Sequence, residues 1–275
     1  MTPRQGAGRT ALITGASAGI GEALAGVFAA HGFDLVLTAR RVERLQAVGE
    51  RLTKLHGVQA RVIPADLADP KTPAMLVEAL DKTGVAIDAL INNAGYGVAA
   101  LYRDAPWNLH RDFLQVMVTA PCELTHRLIG GMSRRGYGRI LNVASVAGLM
   151  PGSANHTLYG AAKSLMIKFS EALHTEQMGT GVHVTALCPG FTLTEFHDVN
   201  NTRGAMKGLP RFMWLTASQV AREGYSALMR NQAISIPGLP YKMIVAMVRM
   251  MPLGLALRLG GARARLMREG NSPGP

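Results

Sequence analysis

The chain has 275 residues, 48% of them hydrophobic and 17% charged, with 31 Gly and 14 Pro; this is enough for the core of one large α/β unit and excludes collagenous and disordered classes. Cys122 and Cys188 are the only cysteines and lack any partner motif, which excludes a disulfide framework, predicts no metal site, and fits two buried thiols in a reducing, cytoplasmic compartment. The net charge is +11, and eleven Lys/Arg against two Glu put +9 of it beyond residue 202, a basic surface suited to an anionic partner, although without interleaved aromatics nucleic acid is not expected.

The first nine residues are polar and Gly-rich rather than a signal peptide, and no run of about 20 apolar residues predicts a spanning helix. Thr10–Thr14 is the first predicted strand. It runs into Thr14-Gly15-Ala16-Ser17-Ala18-Gly19-Ile20-Gly21, which opens a helix over 20–31. A phosphate-binding turn needs this chemistry. Gly15 takes the tight turn, Gly19 admits a pyrophosphate close to the backbone, and Gly21 lets helix and strand pack closely. The helix N-terminus adds unpaired N–H groups and a partial positive charge. Gly15, Ser17, Gly19, Ile20 and Gly21 are therefore candidate dinucleotide contacts. The second strand, 35–38, ends in Thr38-Ala39-Arg40-Arg41. An NAD site usually carries a carboxylate here for the ribose 2′-OH, whereas a guanidinium suits a 2′-phosphate. Arg40, helped by Ser17, is the candidate contact, and the expected cofactor is NADP(H). The plain alternative is two solvated arginines opening the next helix, Val42–His56.

Further strands are predicted at 60–64, 89–91, 139–143, Val182–Leu187 and 233–236, near-continuously apolar as strands covered on both faces are. A long helix is predicted over 106–134. The alternation implies right-handed βαβ crossovers and an α/β fold: a doubly wound, Rossmann-type parallel sheet of about seven strands in three layers, α/β/α. Residues 1–236 read as one dinucleotide-binding catalytic domain with a substrate loop at about 191–215. Residues 237–275 read as a basic, Met-rich extension of it whose last six residues are expected to be disordered.

Asn92-Asn93-Ala94-Gly95 follows the fourth strand, Ser145 follows the fifth, and Tyr159-x-x-x-Lys163 comes fourteen residues after Ser145. Tyr159 and Lys163 share one helix face. A phenol titrates near pH 10, too high for proton exchange at neutral pH, and an adjacent ammonium lowers it. Tyr159 can then give a proton to a ketone oxygen as hydride arrives, or take one in reverse, while Ser145 positions that oxygen. In isolation Tyr-x-x-x-Lys would be an ordinary exposed helix pair.

The Gly-rich turn, Asp66 after the third strand, the Asn-Asn-Ala-Gly block, Ser145, Tyr159 with Lys163, and Pro189-Gly190 occur in an order that resembles the short-chain dehydrogenase/reductase family over residues 10 to about 236. The resemblance implies an NADP(H)-dependent oxidoreductase moving hydride between nicotinamide and a carbonyl or secondary alcohol. It implies Ser145, Tyr159 and Lys163 as catalytic residues, with Lys163 also on the nicotinamide ribose. It puts Asp66 and Leu67 beside the adenine, and Asn93, Ala94 and Gly95 along the ribose and nicotinamide. Pro189, Gly190, Thr192 and Thr194 would wrap the carboxamide and phosphate, unless the two threonines are helix caps. It also implies a homodimer or homotetramer built on the helices near 106–134 and 156–179. One residue departs from the family. The helix asparagine that usually completes a catalytic tetrad is Met117 here, Asn108 lies two turns too early, and a thioether lacks an amide's donors. A weaker proton relay, held by the backbone carbonyl alone, is expected.

The substrate loop offers Phe191, Phe196, Met206, Phe212, Met213 and Trp214, with Arg203, Lys207 and Arg211 among them. That fits an apolar carbonyl compound of some bulk, or ordinary packing. The stretch 241–259 is apolar and Met-rich but broken by Lys242, Arg249, Pro252 and Arg258. It has two readings: peripheral membrane contact through 237–275, or packing on the domain or a neighbouring subunit. Two other functions remain open, a cofactor-binding regulator or scaffold with weak turnover and a lipid-surface protein. The joint presence of Ser145, Tyr159 and Lys163 favours the enzyme.

Overall fold

The computed structural model describes residues 5–98, 100–152, 157–194, 210–252 and 254–255. Its strands are β1 (Thr10–Thr14), β2 (Asp34–Thr38), β3 (Ala60–Val62), β4 (Ala89–Asn92), β5 (Gly138–Val143), β6 (Val182–Leu187), β7 (Thr192–Leu193), β8 (Leu215–Thr216) and β9 (Ile234–Ser235). Seven of them form a parallel sheet in the order β3-β2-β1-β4-β5-β6-β9, and β7 pairs with β8 in a small separate ladder. Alternate residues of each strand enter opposite cores. Ala11, Ile13, Leu35, Leu37 and Ile91 face one side, and Leu12, Val36, Leu90 and Ile140 the other. This two-sided burial is why the strands read as unbroken apolar runs.

The helices are α1 (Gly19–Ala30), α2 (Val42–His56), α3 (Thr72–Lys82), α4 (Trp107–Leu114), α5 (Ala120–Arg134), α6 (Thr157–Glu176), α7 (Ala217–Met229) and α8 (Leu239–Met250). The first core takes Leu24 and Phe28 of α1, Leu45 and Leu52 of α2, and Val220 and Leu228 of α7; the second takes Leu76 and Leu80 of α3 with Leu124 and Met132 of α5. The result is the expected three-layer, Rossmann-type fold.

Several element bounds shift from expectation. The third strand stops at Val62, although the Ile63 N–H still donates to the Leu37 carbonyl at 3.0 Å and the Ala65 N–H to the Ala39 carbonyl at 3.2 Å. The helix expected over 106–134 is broken by a π turn, Gln115–Thr119, in which the Ala120 N–H reaches back five residues to the Gln115 carbonyl. Pro121 cannot donate to the carbonyl of Met117, its α-helical partner four residues back, so the turn widens there. Phe196, Arg203, Met206, Lys207 and the last six residues lie outside the described residues. Among the described residues no helix is long and apolar enough to cross a membrane.

Candidate active site

Strand order reverses between β1 and β4, and the crevice of a doubly wound sheet opens at that point. The turn after β1 lines it. Gly15 and Gly19 hold φ of +66° and +61°, left-handed backbone that a side chain resists. Gly21 is required by space, because a Cβ there would run into the Gly15 carbonyl and the Asn93 amide. Asn93 Nδ2 donates to the Thr14 carbonyl at 2.9 Å and the Gly15 carbonyl at 3.2 Å, while Thr14 Oγ1 accepts the N–H groups of Asn93 and Ala94, each at 3.0 Å. The Asn93 side chain thus braces the turn, and half-buried Ala94 and exposed Gly95 continue along the rim. Ile20 packs its side chain on the first core.

At the end of β2, the guanidinium that meets the turn is Arg41. Its Nε and one terminal nitrogen donate to Ser17 Oγ, both at 3.3 Å. Arg40 is exposed beside it. Across the crevice, burial pushes the Tyr96 phenol above its ordinary range; Asp112 and Asp66 add to that, and Arg40 opposes it. Asp66 turns its carboxylate onto the Ala68 N–H at 3.0 Å, and Leu67 is buried.

The catalytic candidates come together beyond β5. Ser145 caps a short 3-10 turn, Val146–Leu149, its Oγ accepting the Ala147 N–H at 3.1 Å. Tyr159, in the first turn of α6, hydrogen-bonds the Ser145 side chain. Lys163, one turn on and buried, donates from Nζ to the Val143 carbonyl at 2.7 Å, and this ammonium lies 5.8 Å from the centroid of the Tyr159 ring.

The expected electrostatics are not what this geometry produces. Burial pushes the Tyr159 phenol above its ordinary value, and the Ser145 hydrogen bond offsets only part of that. Burial pushes Lys163 down to about 8, against the opposing pull of the Cys188 thiol. Desolvation wins at both groups, with Lys163 turned to a backbone carbonyl. Cys188 is itself fully buried, its thiol pushed up to about 12 by burial, and Cys122 is half-buried.

After β6 the chain returns to the turn. The Pro189 carbonyl accepts the Val146 N–H at 3.0 Å, and the Thr192 hydroxyl donates to the Gly190 carbonyl at 2.9 Å. Thr194 lies over Gly19, 3.2 Å from where a Cβ would stand. Among the described residues, Thr216 caps α7, accepting the Gln219 N–H at 3.1 Å. A glycine cradle at a helix N-terminus with guanidinium groups at the next strand end fits a dinucleotide phosphate chain.

Residues 9–204 match the family model for short chain dehydrogenases. The chain belongs to the short-chain dehydrogenase family. It is similar to the sulfoacetaldehyde reductase of Chromohalobacter salexigens, 39% identical over 189 residues that cover 67% of this chain and 72% of that protein. A fatty acyl-CoA reductase of Mycobacterium tuberculosis is 36% identical over 224 residues, 80% of this chain and 74% of that one. Among solved structures, the short-chain dehydrogenase from Sphingobium yanoikuyae in complex with NADPH has a TM-score of 0.77 at 30% identity, covering 94% of this chain and 95% of that one. This short-chain dehydrogenase is therefore an oxidoreductase. Its two named relatives act on compounds as different as a small sulfonate and a fatty acyl thioester, so kinship does not choose its substrate.

Two packing contacts of this dehydrogenase, one of them made by the Met117 already singled out, escaped sequence reasoning. Met117 is 2% exposed and packs with Phe113, Ala162 and Tyr159, its Sδ 2.7 Å from where a Cβ on Gly95 would stand. The thioether fills the space between the Asn-Asn-Ala-Gly block and the catalytic helix. Tyr241 of α8 lays its ring over Gly190, where any Cβ would strike it. Its hydroxyl donates to the Met213 carbonyl at 2.6 Å and accepts the Phe191 N–H at 2.9 Å. A single aromatic in a Met-rich stretch carried no sequence signal for that role.

Proposed function

We propose that this chain is an NADP(H)-dependent reductase of an apolar carbonyl compound, or in reverse a dehydrogenase of the matching secondary alcohol. The observation that carries this reading is the Ser145–Tyr159 hydrogen bond beside buried Lys163. When bound, the nicotinamide supplies or accepts hydride. The Gly15, Gly19, Ile20 and Gly21 backbone and the α1 N-terminus would hold the pyrophosphate, and Arg40, Arg41 and Ser17 the 2′-phosphate. Asp66 and Leu67 would border the adenine. Asn93, Ala94 and Gly95 would line the ribose and nicotinamide side, Lys163 would also hold that ribose, and Pro189, Gly190, Thr192 and Thr194 would wrap the carboxamide and phosphate.

A proton donor must begin protonated. Burial keeps the Tyr159 phenol neutral, so it is ready to give its proton to the substrate oxygen while Ser145 holds that oxygen in place. Lys163, poised at about 8, is the nearest group able to restore that proton near neutral pH, and Met117 offers a relay water only its backbone carbonyl. Phe191, tilted against Trp214 at 5.9 Å, supports an apolar substrate. NADPH oxidation with a panel of long-chain aldehydes and bulky ketones tests the reading. Tyr159→Phe should cut turnover by about 10²–10⁴ with NADPH binding, followed by fluorescence titration, nearly unchanged. Retained turnover removes Tyr159 from this role.

A second reading concerns the surface. One face of α8 exposes Leu239, Met243, Met247 and Met250 beside Lys242 and Arg249, with no acidic residue, and this supports peripheral contact with anionic lipid. We also propose a homodimer or homotetramer built on α4–α5 and α6, supported by exposed Trp107, Leu109 and Leu165, in a cytoplasmic setting supported by free thiols.

A further inference from the structure

β9 is the last strand of the parallel sheet, three strands beyond β4, and among the described residues no strand pairs with its outer edge. Against that edge, α7 and the start of α8 leave an open cleft of about 630 Å³, within the size range of pockets that hold small ligands. Arg222 and Glu223 of α7 and Arg230 at its C-terminal cap line the cleft, Lys242 joins them from α8, and Ile234 and Ile236 add an apolar wall. The Ala233 and Ser235 carbonyls accept the Ala186 and Cys188 N–H groups, so the Ile234 N–H between them points to the open edge.

The charges of this cleft do not cancel within it. Glu223 is already engaged: its Oε1 accepts Gln219 Nε2 at 3.1 Å, and its Oε2 accepts the Gly238 N–H at 3.4 Å. Among the described residues, Arg222, Arg230 and Lys242 form no ion pair. Arg222 donates to Ser218 Oγ and Arg230 to Ser226 Oγ, each from one terminal nitrogen. A guanidinium has five N–H donors, so each serine anchors its arginine without exhausting it.

We propose that this cleft binds a small organic phosphate carrying two anionic groups, at a site separate from the dinucleotide crevice and independent of the reductase reading. Three cations against one committed carboxylate attract an anion, and the guanidinium fork matches a phosphate. Arg222 and Arg230 stand eight residues apart, about 12 Å along the helix axis. One molecule with an anionic group at each end can therefore meet both arginines while its body lies on Ile234 and Ile236. A second copy of this chain seated through the same face would bring these cations together and leave them unneutralised.

Fructose 1,6-bisphosphate is the probe and fructose 6-phosphate the control with a single phosphate. Both are titrated by calorimetry into the full-length protein in excess NADPH, which keeps the phosphate turn after β1 occupied. The bisphosphate should bind about tenfold more tightly than the monophosphate, the size of one charge-assisted contact. Arg222→Gln and Arg230→Gln should each weaken it by about the same factor, and Glu223→Gln, which removes the one negative charge, should tighten it. Arg249→Gln, which changes a cation of α8 outside this lining, should leave it unaltered. NADPH affinity should be the same in every variant, so failure here leaves the reductase reading untouched. Absence of bisphosphate binding, or losses as large in Arg249→Gln as in Arg222→Gln and Arg230→Gln, overturns the proposal. A fall in light-scattering mass in either arginine variant also overturns it, since the face would then be a subunit contact.

Discussion

Arg40 and Arg41 are adjacent, carry the same charge, and do different things. Arg41 donates to Ser17 Oγ, which fixes its guanidinium over the phosphate turn, while Arg40 is exposed beside it. A charge-assisted contact to a 2′-phosphate is worth more than one to a hydroxyl, so both side chains should tell on NADPH and not on NADH. Arg40→Asp should weaken NADPH by about 10- to 100-fold and leave NADH the better ligand, because a carboxylate repels the phosphate and accepts from the ribose hydroxyl. Arg41→Ala should weaken NADPH alone. Fluorescence titration of both nucleotides reads this out. If the ratio of the two affinities does not move in Arg40→Asp but collapses in Arg41→Ala, Arg41 is the phosphate contact and Arg40 a bystander.

The element that joins most of the site is α8, through one side chain. Tyr241 is 3% exposed, and its hydroxyl closes two backbone groups that belong to different segments, the Phe191 N–H and the Met213 carbonyl. Tyr241→Phe keeps the ring on Gly190 and removes both bonds, which should cost about 1–3 kcal/mol of unfolding free energy, since buried partners are left unpaired. Gly190→Ala, which drives a Cβ into the ring, should cost more. Urea unfolding measures both, and a Tyr241→Phe protein as stable as the wild type would deny the clamp. Legibility follows the same division. The strands could be read because burial on both faces leaves few polar residues to blur them, the Gly turn and Ser145 because each follows a strand end, and Tyr159 with Lys163 because they stand one turn apart on one helix. The break before α5 was written in Pro121 but hidden by the apolar period around it. Asn92, next to the candidate contact Asn93, donates to Asn142 Oδ1 at 2.8 Å, and Asn142 donates to Ser170 at 2.8 Å, a buried chain across β4, β5 and α6. Contacts so far apart in sequence leave no local pattern. The phenol's shift was misjudged for a related reason: spacing places a cation near Tyr159, but burial and the Val143 carbonyl decide its effect.

At the scale of the whole molecule the charge is as asymmetric as the sheet is regular. The charge beyond residue 202 totals +9, while the described cations that follow β2 beside the phosphate turn are Arg40 and Arg41. Its described part includes Lys242 and Arg249 on α8, and they flank the apolar stripe that continues from Leu239, 67% exposed, to Met250, 87% exposed. Spacings of four, four and three residues keep the four apolar side chains on one face. Tyr241 and Val245 fill the opposite face against the core, so the helix is already anchored and presents its stripe without needing to unfold. Thioethers and leucine gain by leaving water, and cations gain beside anionic headgroups, so the two terms act together only at an anionic lipid surface. A subunit interface on the same stripe would gain from the apolar term while bringing like charges together. The full-length protein should therefore co-sediment with vesicles containing phosphatidylglycerol and not with pure phosphatidylcholine, and binding should weaken as salt rises. Met243→Glu with Met247→Glu should abolish co-sedimentation and leave the mass measured by light scattering unchanged, because the proposed assembly uses α4–α5 and α6. If instead the double variant falls to a smaller assembly, the stripe is a subunit contact and the lipid reading fails.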